Sequence, residues 1–250
     1  MKEQYIVGRN PVLEVLKTGK EIERIFVLKG ELKGSINKII GIAKDRGIPI
    51  QQVDKSKLDN ISKGSVHQGV AALIAPYVYS SVDEILQKAK KSSQSPFILI
   101  LDGIEDPHNL GAIVRTAECA GVHGVIIPNR RAAQVTEGVY KSSAGAVEHM
   151  LIAKVNNISD TIEYLKKKDL WIYGADVEGE DYYNVELTGP IALVIGSEGK
   201  GISRLVKEKC DFLLKIPMFG DIASLNASNA ASILIYEVVR QNRGRKRQKT

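Results

Sequence analysis

Residues 97–121 read FILILDGIEDPHNLGAIVRTAECAG, and this stretch decides the fold. Residues 97–101 form an unbroken apolar run, the kind of strand that a parallel sheet buries on both faces. A proline-containing turn and then a small, apolar helix follow it. Working outward, further apolar strands are read at 124–127, 170–174, 191–195 and 212–216, with helical patterns between them. Residues 96–242 are therefore expected to form an α/β domain on a parallel sheet.

Ahead of that domain, short apolar runs also alternate with helical patterns. Asn10-Pro11 pairs an N-cap with proline at a first helical position, starting a helix over 12–17 that stops at Gly19. A strand at 24–28, a helix at 35–46 ending before Gly47, a strand at 49–53, a short helix at 55–61 and a β-rich run at 68–75 complete a small α/β unit, residues 1–75. Residues 76–95, PYVYSSVDEILQKAKKSSQS, read as a linker around a short helix at 82–91.

Composition narrows the function classes. No apolar run reaches membrane-spanning length and no secretory leader pattern opens the chain, so a soluble, unprocessed cytoplasmic protein is expected. The two cysteines, Cys119 and Cys210, lie far apart in helical stretches and suggest neither a disulfide framework nor a zinc site. The net charge of +6 is segregated: 13 basic and 8 acidic residues in 1–75, 16 and 21 in 76–239, and 6 and none in 240–250. A basic front and a basic tail around an acidic middle suit a polyanion held at the ends while chemistry happens between. Lysine-rich solvated faces would leave the same counts.

Common site motifs are missing. GSEGKG at 196–201 lacks the spacing of a phosphate loop, no G-x-G-x-x-G follows a strand, and the zinc-type H-E-x-x-H and C-x-x-C are absent, so no metal is expected. His67, His108, His123 and His149 are scattered and read as structural or surface residues. Three loops remain, each after an apolar strand, where open α/β sheets place ligands. The first carries Asn109 at a helix start and Arg115 six residues on, about 120° around the helix axis. Asn109 alone could be a plain N-cap, but Arg115 stands among Ile113, Val114, Ala117 and Ala120 and must leave a small apolar helix. The second loop packs three glycines around Glu198, either for close backbone approach to a ligand or for a tight turn. The third, IPMFGDIASLNASNAASI at 216–233, holds Ser224, Leu225 and Asn226 before a helix read to about Arg240.

In order, spacing and content these loops resemble the SpoU, or TrmH-like, branch of the SPOUT class of RNA methyltransferases. Its first motif is matched by Asp106-Pro107, Asn109, Gly111 and Arg115, its second by Gly196, Glu198, Gly199 and Gly201, and its third by Pro217, Ser224, Leu225 and Asn226. One departure is Ala227, where many relatives carry valine. The resemblance covers 96–242, and the front unit is similar to the ribosomal-protein-like RNA-binding domain of the RlmB-type members.

The resemblance implies a parallel sheet whose C-terminal part is threaded through a deep trefoil knot. It implies S-adenosylmethionine bound by Gly196, Gly199, Gly201, Ile216, Met218 and Leu225, and catalysis by Arg115, Asn109, Glu198, Ser224 and Asn226. It also implies a homodimer through the knot region acting on a guanosine ribose of 23S rRNA or a large-subunit precursor. Methylation of transfer RNA, or of an adenosine in ribosomal RNA, is the alternative within the class. A non-catalytic RNA-binding or ribosome-assembly protein is the alternative outside it.

Overall fold

The computed structural model describes residues 4–17, 21–30, 34–75 and 77–247, the side chains of 243–247 excepted. The helix stop at Gly19, the first linker residue Pro76 and the last tail residues, 248–250, lie outside the described residues. The elements run β1 (Gln4–Val7), α1 (Arg9–Lys17), β2 (Ile22–Leu28), α2 (Ser35–Asp45), β3 (Ile50–Val53), α3 (Lys55–Ser62), β4 (Val70–Ile74) and α4 (Val82–Lys91). They continue as β5 (Phe97–Asp102), α5 (Pro107–Ala120), β6 (Gly124–Pro128), α6 (Glu137–Ser142), β7 (Ile152–Val155), α7 (Ile158–Lys166), β8 (Trp171–Asp181), β9 (Ile191–Gly196), α8 (Arg204–Lys209), β10 (Phe212–Lys215) and α9 (Ala227–Arg247).

Two units emerge. One holds the residues up to Val78 together with Gln134–His149; the other holds Tyr79–Ala133 and the residues from Met150 on. The division thus differs from the expected unit 1–75, linker 76–95 and domain 96–242: residues 79–95 group with the second unit, and α6 and its neighbours group with the front strands. In the first unit a four-stranded sheet runs β1-β4-β2-β3, antiparallel except for the parallel β2–β3 pair. Ile6, Ile25, Val27 and Val12 are fully buried there. β1, only four residues long and half polar, had no periodicity to announce it; pairing with β4 from Gln4 opposite Ile74 to Val7 opposite Ala71 creates it.

In the second unit six parallel strands run β10-β8-β9-β5-β6-β7. The expected strands are all present, joined by β7. Ile98, Leu99, Ile100, Ala192, Leu193 and Val194 are fully buried, as strands covered on both faces must be. His123 is buried as well, its Nδ1 accepting from the Phe97 amide at 3.0 Å, and burial holds its pKa below the usual imidazole value. Burial likewise pushes the Cys210 thiol up to about 12. No described helix is long and apolar enough to cross a membrane.

Residues 79–95 are not a loose linker. Ser81 caps α4, its Oγ accepting from the Glu84 amide at 3.2 Å while Glu84 Oε2 accepts from the Ser81 amide at 2.6 Å, a reciprocal capping box. Ile85 and Ala89, one turn apart, are fully buried and Ile85 joins the core of Ile98, Ile100 and Ile126. Any Cβ on Gly124 would come within 2.5 Å of Ile85, so the glycine lets the helix press against β6. The serines and lysines that suggested a linker are the solvated face of an amphipathic helix.

Two further expectations change. Asp106, not Asn109, caps α5, accepting from the His108 amide at 3.0 Å with Pro107 in the first turn. α9 runs to Arg247 rather than to about Arg240, since its arginines, lysine and glutamine favour helix as much as solvent. The packing of α4 predicts that Ile85→Ala lowers the unfolding free energy in urea by ~2–5 kcal/mol, as large-to-small core changes do. A mere tether would show no change.

Candidate functional site

The site begins with a topological split. β5 and β9 lie side by side, but β5 leads through α5 to β6 on one side while β9 leads through α8 to β10 on the other. A crevice opens where such neighbours part, beyond their carboxyl ends. Their pairing closes with Asp102 opposite Gly196, so the first and second loops leave from adjacent rungs.

β8 widens the crevice. It pairs with β9 only as far as Gly174 opposite Val194, and its register against β10 jumps from Gly174 opposite Leu213 to Glu180 opposite Leu214. Residues 175–179 therefore bulge away from both ladders, held by Lys207, which binds Asp176 at 2.9 Å and Glu178 at 2.5 Å. Gly179 allows the bulge, because a Cβ there would sit 2.5 Å from the Leu213 backbone.

Between this bulge and the second and third loops lies a cavity of about 360 Å³, within the size range of small-molecule sites. Gly196, Gly199, Gly201, Ile216, Met218 and Leu225, all six residues expected around the cofactor, line it, and so does Ser224. Ala175, Asp176 and Val177 line it too. Sequence reading missed these three because they sit in mid-strand, and only the register jump brings them to the cavity. The walls fit S-adenosylmethionine in kind: apolar Ile195, Leu214 and Ile216 can face a purine, while close-packed glycine backbone leaves amides and carbonyls within reach.

Gly196 cannot be anything else. A Cβ there would stand 2.1 Å from the Gly201 carbonyl carbon, because Ser197 and Gly201 exchange backbone hydrogen bonds of 3.1 and 2.9 Å and fold the loop back onto the strand end. Gly199 and Gly201 both take positive φ, 77° and 64°, which turns the loop so tightly.

Glu198 ties the three loops together. Its Oε1 accepts from Asn109 Nδ2 at 3.2 Å, from Asn226 Nδ2 in a short contact and from the Ala227 amide at 3.4 Å. Asn226 Nδ2 also donates to Asn109 Oδ1 at 3.0 Å. Asn226 Oδ1 in turn accepts from the Ser228 amide at 2.9 Å and so caps α9. Its capping and its loop contacts are thus made by different atoms of one amide. Glu198 Oε2 makes no hydrogen bond among the described residues.

Arg115 stands apart from this triangle. It is exposed on α5, at the α5–α9 contact where Thr116 Oγ1 and Ser232 Oγ lie 3.1 Å apart, and it makes no hydrogen bond or ion pair among the described residues. The structure thus brings Asn109, Glu198 and Asn226 into one network, sets Ser224 at the cavity, and leaves Arg115 uncommitted.

Comparison with known proteins gives this arrangement a context. Residues 96–236 match the SpoU rRNA Methylase family, and residues 5–80 match the RNA 2′-O ribose methyltransferase substrate binding family. A Bacillus subtilis protein assigned to the TrmH family of tRNA/rRNA methyltransferases is 47% identical over 241 residues, 96% of each chain. The SpoU methyltransferase AviRb of Streptomyces viridochromogenes, solved with AdoMet, superposes with a TM-score of 0.79 at 25% identity, over 96% of this chain and 90% of that one. The A. aeolicus TrmH/SpoU tRNA modifying enzyme superposes with a TM-score of 0.56 at 29% identity, over only 65% of this chain and 86% of its own.

The backbone clash at Gly196 makes Gly196→Ala a sharp probe. The substitution is expected to cost ~3 kcal/mol, the upper end for overpacking, because backbone rather than a flexible side chain must give way. Urea unfolding measures that loss, and titration with S-adenosylmethionine should show donor binding lost with it.

Proposed function

Since the chain belongs to the SpoU rRNA methylase family and is an RNA 2′-O-ribose methyltransferase that uses S-adenosylmethionine, we propose that its target is a guanosine of 23S ribosomal RNA. The observation that carries the ribosomal reading is the front unit. The substrate-binding match at 5–80 covers most of it, and the tRNA-modifying A. aeolicus neighbour aligns with only 65% of the chain. Transfer RNA or a ribosomal adenosine is the competing target.

In this reading the donor occupies the 360 Å³ cavity, with Gly196, Gly199, Gly201, Ile216, Met218 and Leu225 around its adenosine and amino-acid parts. Bound there, it supplies an electrophilic methyl group on a sulfonium. A ribose hydroxyl is a poor nucleophile until its proton leaves, so negative charge must be stabilised where it develops. Arg115 carries that role. A guanidinium presents a planar fork of N–H donors and no acceptor, so Arg115 acts as a clamp on the developing alkoxide and not as a base. Its lack of a partner among the described residues leaves the full charge for the substrate. Asn109 and Asn226 hold Glu198 by one oxygen, leaving Oε2 to orient the ribose or the donor's amino group. Ser224 adds a hydroxyl at the cavity wall.

The knot and the homodimer belong to the same reading. Residues 216–226 leave the sheet's edge strand β10 and end beside the β5 and β9 loops, and on this segment Phe219 and Ile222 are 96% and 76% exposed. An apolar pair so placed suits burial against a second copy.

Two measurements test these assignments. Arg115→Ala should lower kcat about 100-fold, as removal of a transition-state donor does, with donor affinity unchanged in a calorimetric titration. Unimpaired turnover would remove Arg115 from the chemistry. Separately, ribose-methylation mapping of a deletion strain should lose one guanosine mark in 23S rRNA. A mark lost from transfer RNA or from an adenosine selects the competing target, and no mark lost from 23S rRNA overturns the proposed one.

A further inference from the structure

A second and larger cavity, about 740 Å³, shares the 197–201 loop as a wall with the donor cavity. It opens at the carboxyl ends of three strands, with Glu105 from the loop after β5, Arg130 and Arg131 from the turn after β6, and Asn156 from the segment after β7. All of its lining belongs to the second unit.

The turn that carries the two arginines is pinned at both ends. The Asn129 amide donates to the Val155 carbonyl at 2.9 Å, the Asn129 side chain donates to Asn156 Oδ1 at 2.5 Å, and the Ala133 amide donates to the Ile104 carbonyl at 2.8 Å. Between these anchors Arg131 is held at φ 55°, a left-handed conformation that side-chain-bearing residues rarely adopt and that concentrates at functional sites.

The charges on this cavity are unequally committed. Among the carboxylates, Asp106 is taken by the His108 amide, Asp102 by the Ser203 amide at 2.7 Å, and Glu198 through Oε1 by Asn109 and Asn226. Arg130, Arg131 and Lys200 make no hydrogen bond or ion pair among the described residues, and of the carboxylates only Glu105 shares that condition. Three uncommitted cations therefore face one uncommitted anion, inside a stretch, 76–239, whose formal charge is −5.

The geometry points to this cavity as the seat of the RNA nucleotides that flank the reacting ribose, with Arg130 and Arg131 on their phosphates. The inference rests on the reading of the chain as an RNA ribose methyltransferase. Asn109 lines this larger cavity, Leu225 and Ala227 line the donor cavity, and Asn226 and Glu198 join the two sides. A ribose presented at that junction has the donor on one side and its neighbouring nucleotides on the other. The planar guanidinium fork matches phosphate oxygens in pairs, and a turn fixed in advance loses little freedom when it binds. Asp102, Glu105 and Asp106 stand on the β5 wall, so the strand would run with its phosphates toward β6 and its sugars toward Asn109.

The test uses the full chain with two probes, unmodified transcripts of 23S rRNA and of a transfer RNA. Affinity is measured from 50 to 200 mM salt, with S-adenosylmethionine affinity measured alongside. R130Q/R131Q should weaken binding of whichever transcript the wild type prefers at least tenfold, and should flatten the log–log salt slope by about 1.4, the value for two single-strand phosphates. Donor affinity should stay within twofold. R130K/R131K should recover the slope but only part of the affinity, because lysine lacks the fork. Lys167→Gln, at the opposite end of the sheet, should change neither. Wild-type affinity and slope in R130Q/R131Q overturn the inference, as does donor affinity lost equally in the Gln and Lys pairs, which would assign the arginines to folding. If the wild type methylates neither transcript, the ribosomal-target reading falls while the binding comparison still judges the arginines.

Discussion

The parallel pairing of β5 with β9, from Phe97 opposite Ile191 to Asp102 opposite Gly196, is the contact on which the site depends. Both strands are buried along their length, so their ends are fixed by the most cooperative part of the core. Two loops released from adjacent rungs, toward helices on opposite sides, have to part, and the gap between them is as rigid as the strands that create it. The bulge of β8 at 175–179 extends the same gap sideways, and Lys207 keeps it open through ion pairs to Asp176 and Glu178.

Rigidity and adjustability are divided between two kinds of contact. The Gly196–Gly201 approach is a packing constraint, intolerant of a single methyl group. The Asn109–Glu198–Asn226 triangle is polar and exposed. Hydrogen bonds of that kind contribute only ~1 kcal/mol each against water, so the triangle orients side chains and adds little to folding stability. A loop fixed at its root and lightly held at its tip admits a ligand without unfolding, then resets its carboxylate through Asn109 and Asn226.

Much of this was legible before any coordinates. The strand order was not readable, but the strands were, because buried parallel strands are nearly all apolar and announce themselves. The site loops were legible because glycines and polar residues at strand ends have few structural reasons to cluster. What escaped had physical causes. β1 exists only through its partner β4, so no local pattern marked it. Helix α4 hides two core residues among serines and lysines, and composition alone read it as a tether. Asn109 looked like a cap because it is near a helix start, yet Asp106 three residues earlier captures the amide and frees Asn109 for Glu198. The 175–179 wall depends on a register jump that spacing cannot encode.

Charge completes the logic. A net-acidic catalytic stretch repels a polyanion in general, so RNA gains little by lying anywhere on it. Arg115, Arg130 and Arg131 are exceptions of one kind, cations without protein partners among the described residues, carried on backbone that neighbouring contacts hold still. Such charges need no reorganisation when negative charge arrives, and a fixed dipole or cation is worth most where water has been displaced. On the proposed reading, an acidic background with a few fixed cations makes binding conditional on position: phosphates would be rewarded only where they also bring a ribose to Asn109 and Glu198. Selectivity then comes as much from the repulsion elsewhere as from the attraction at the site.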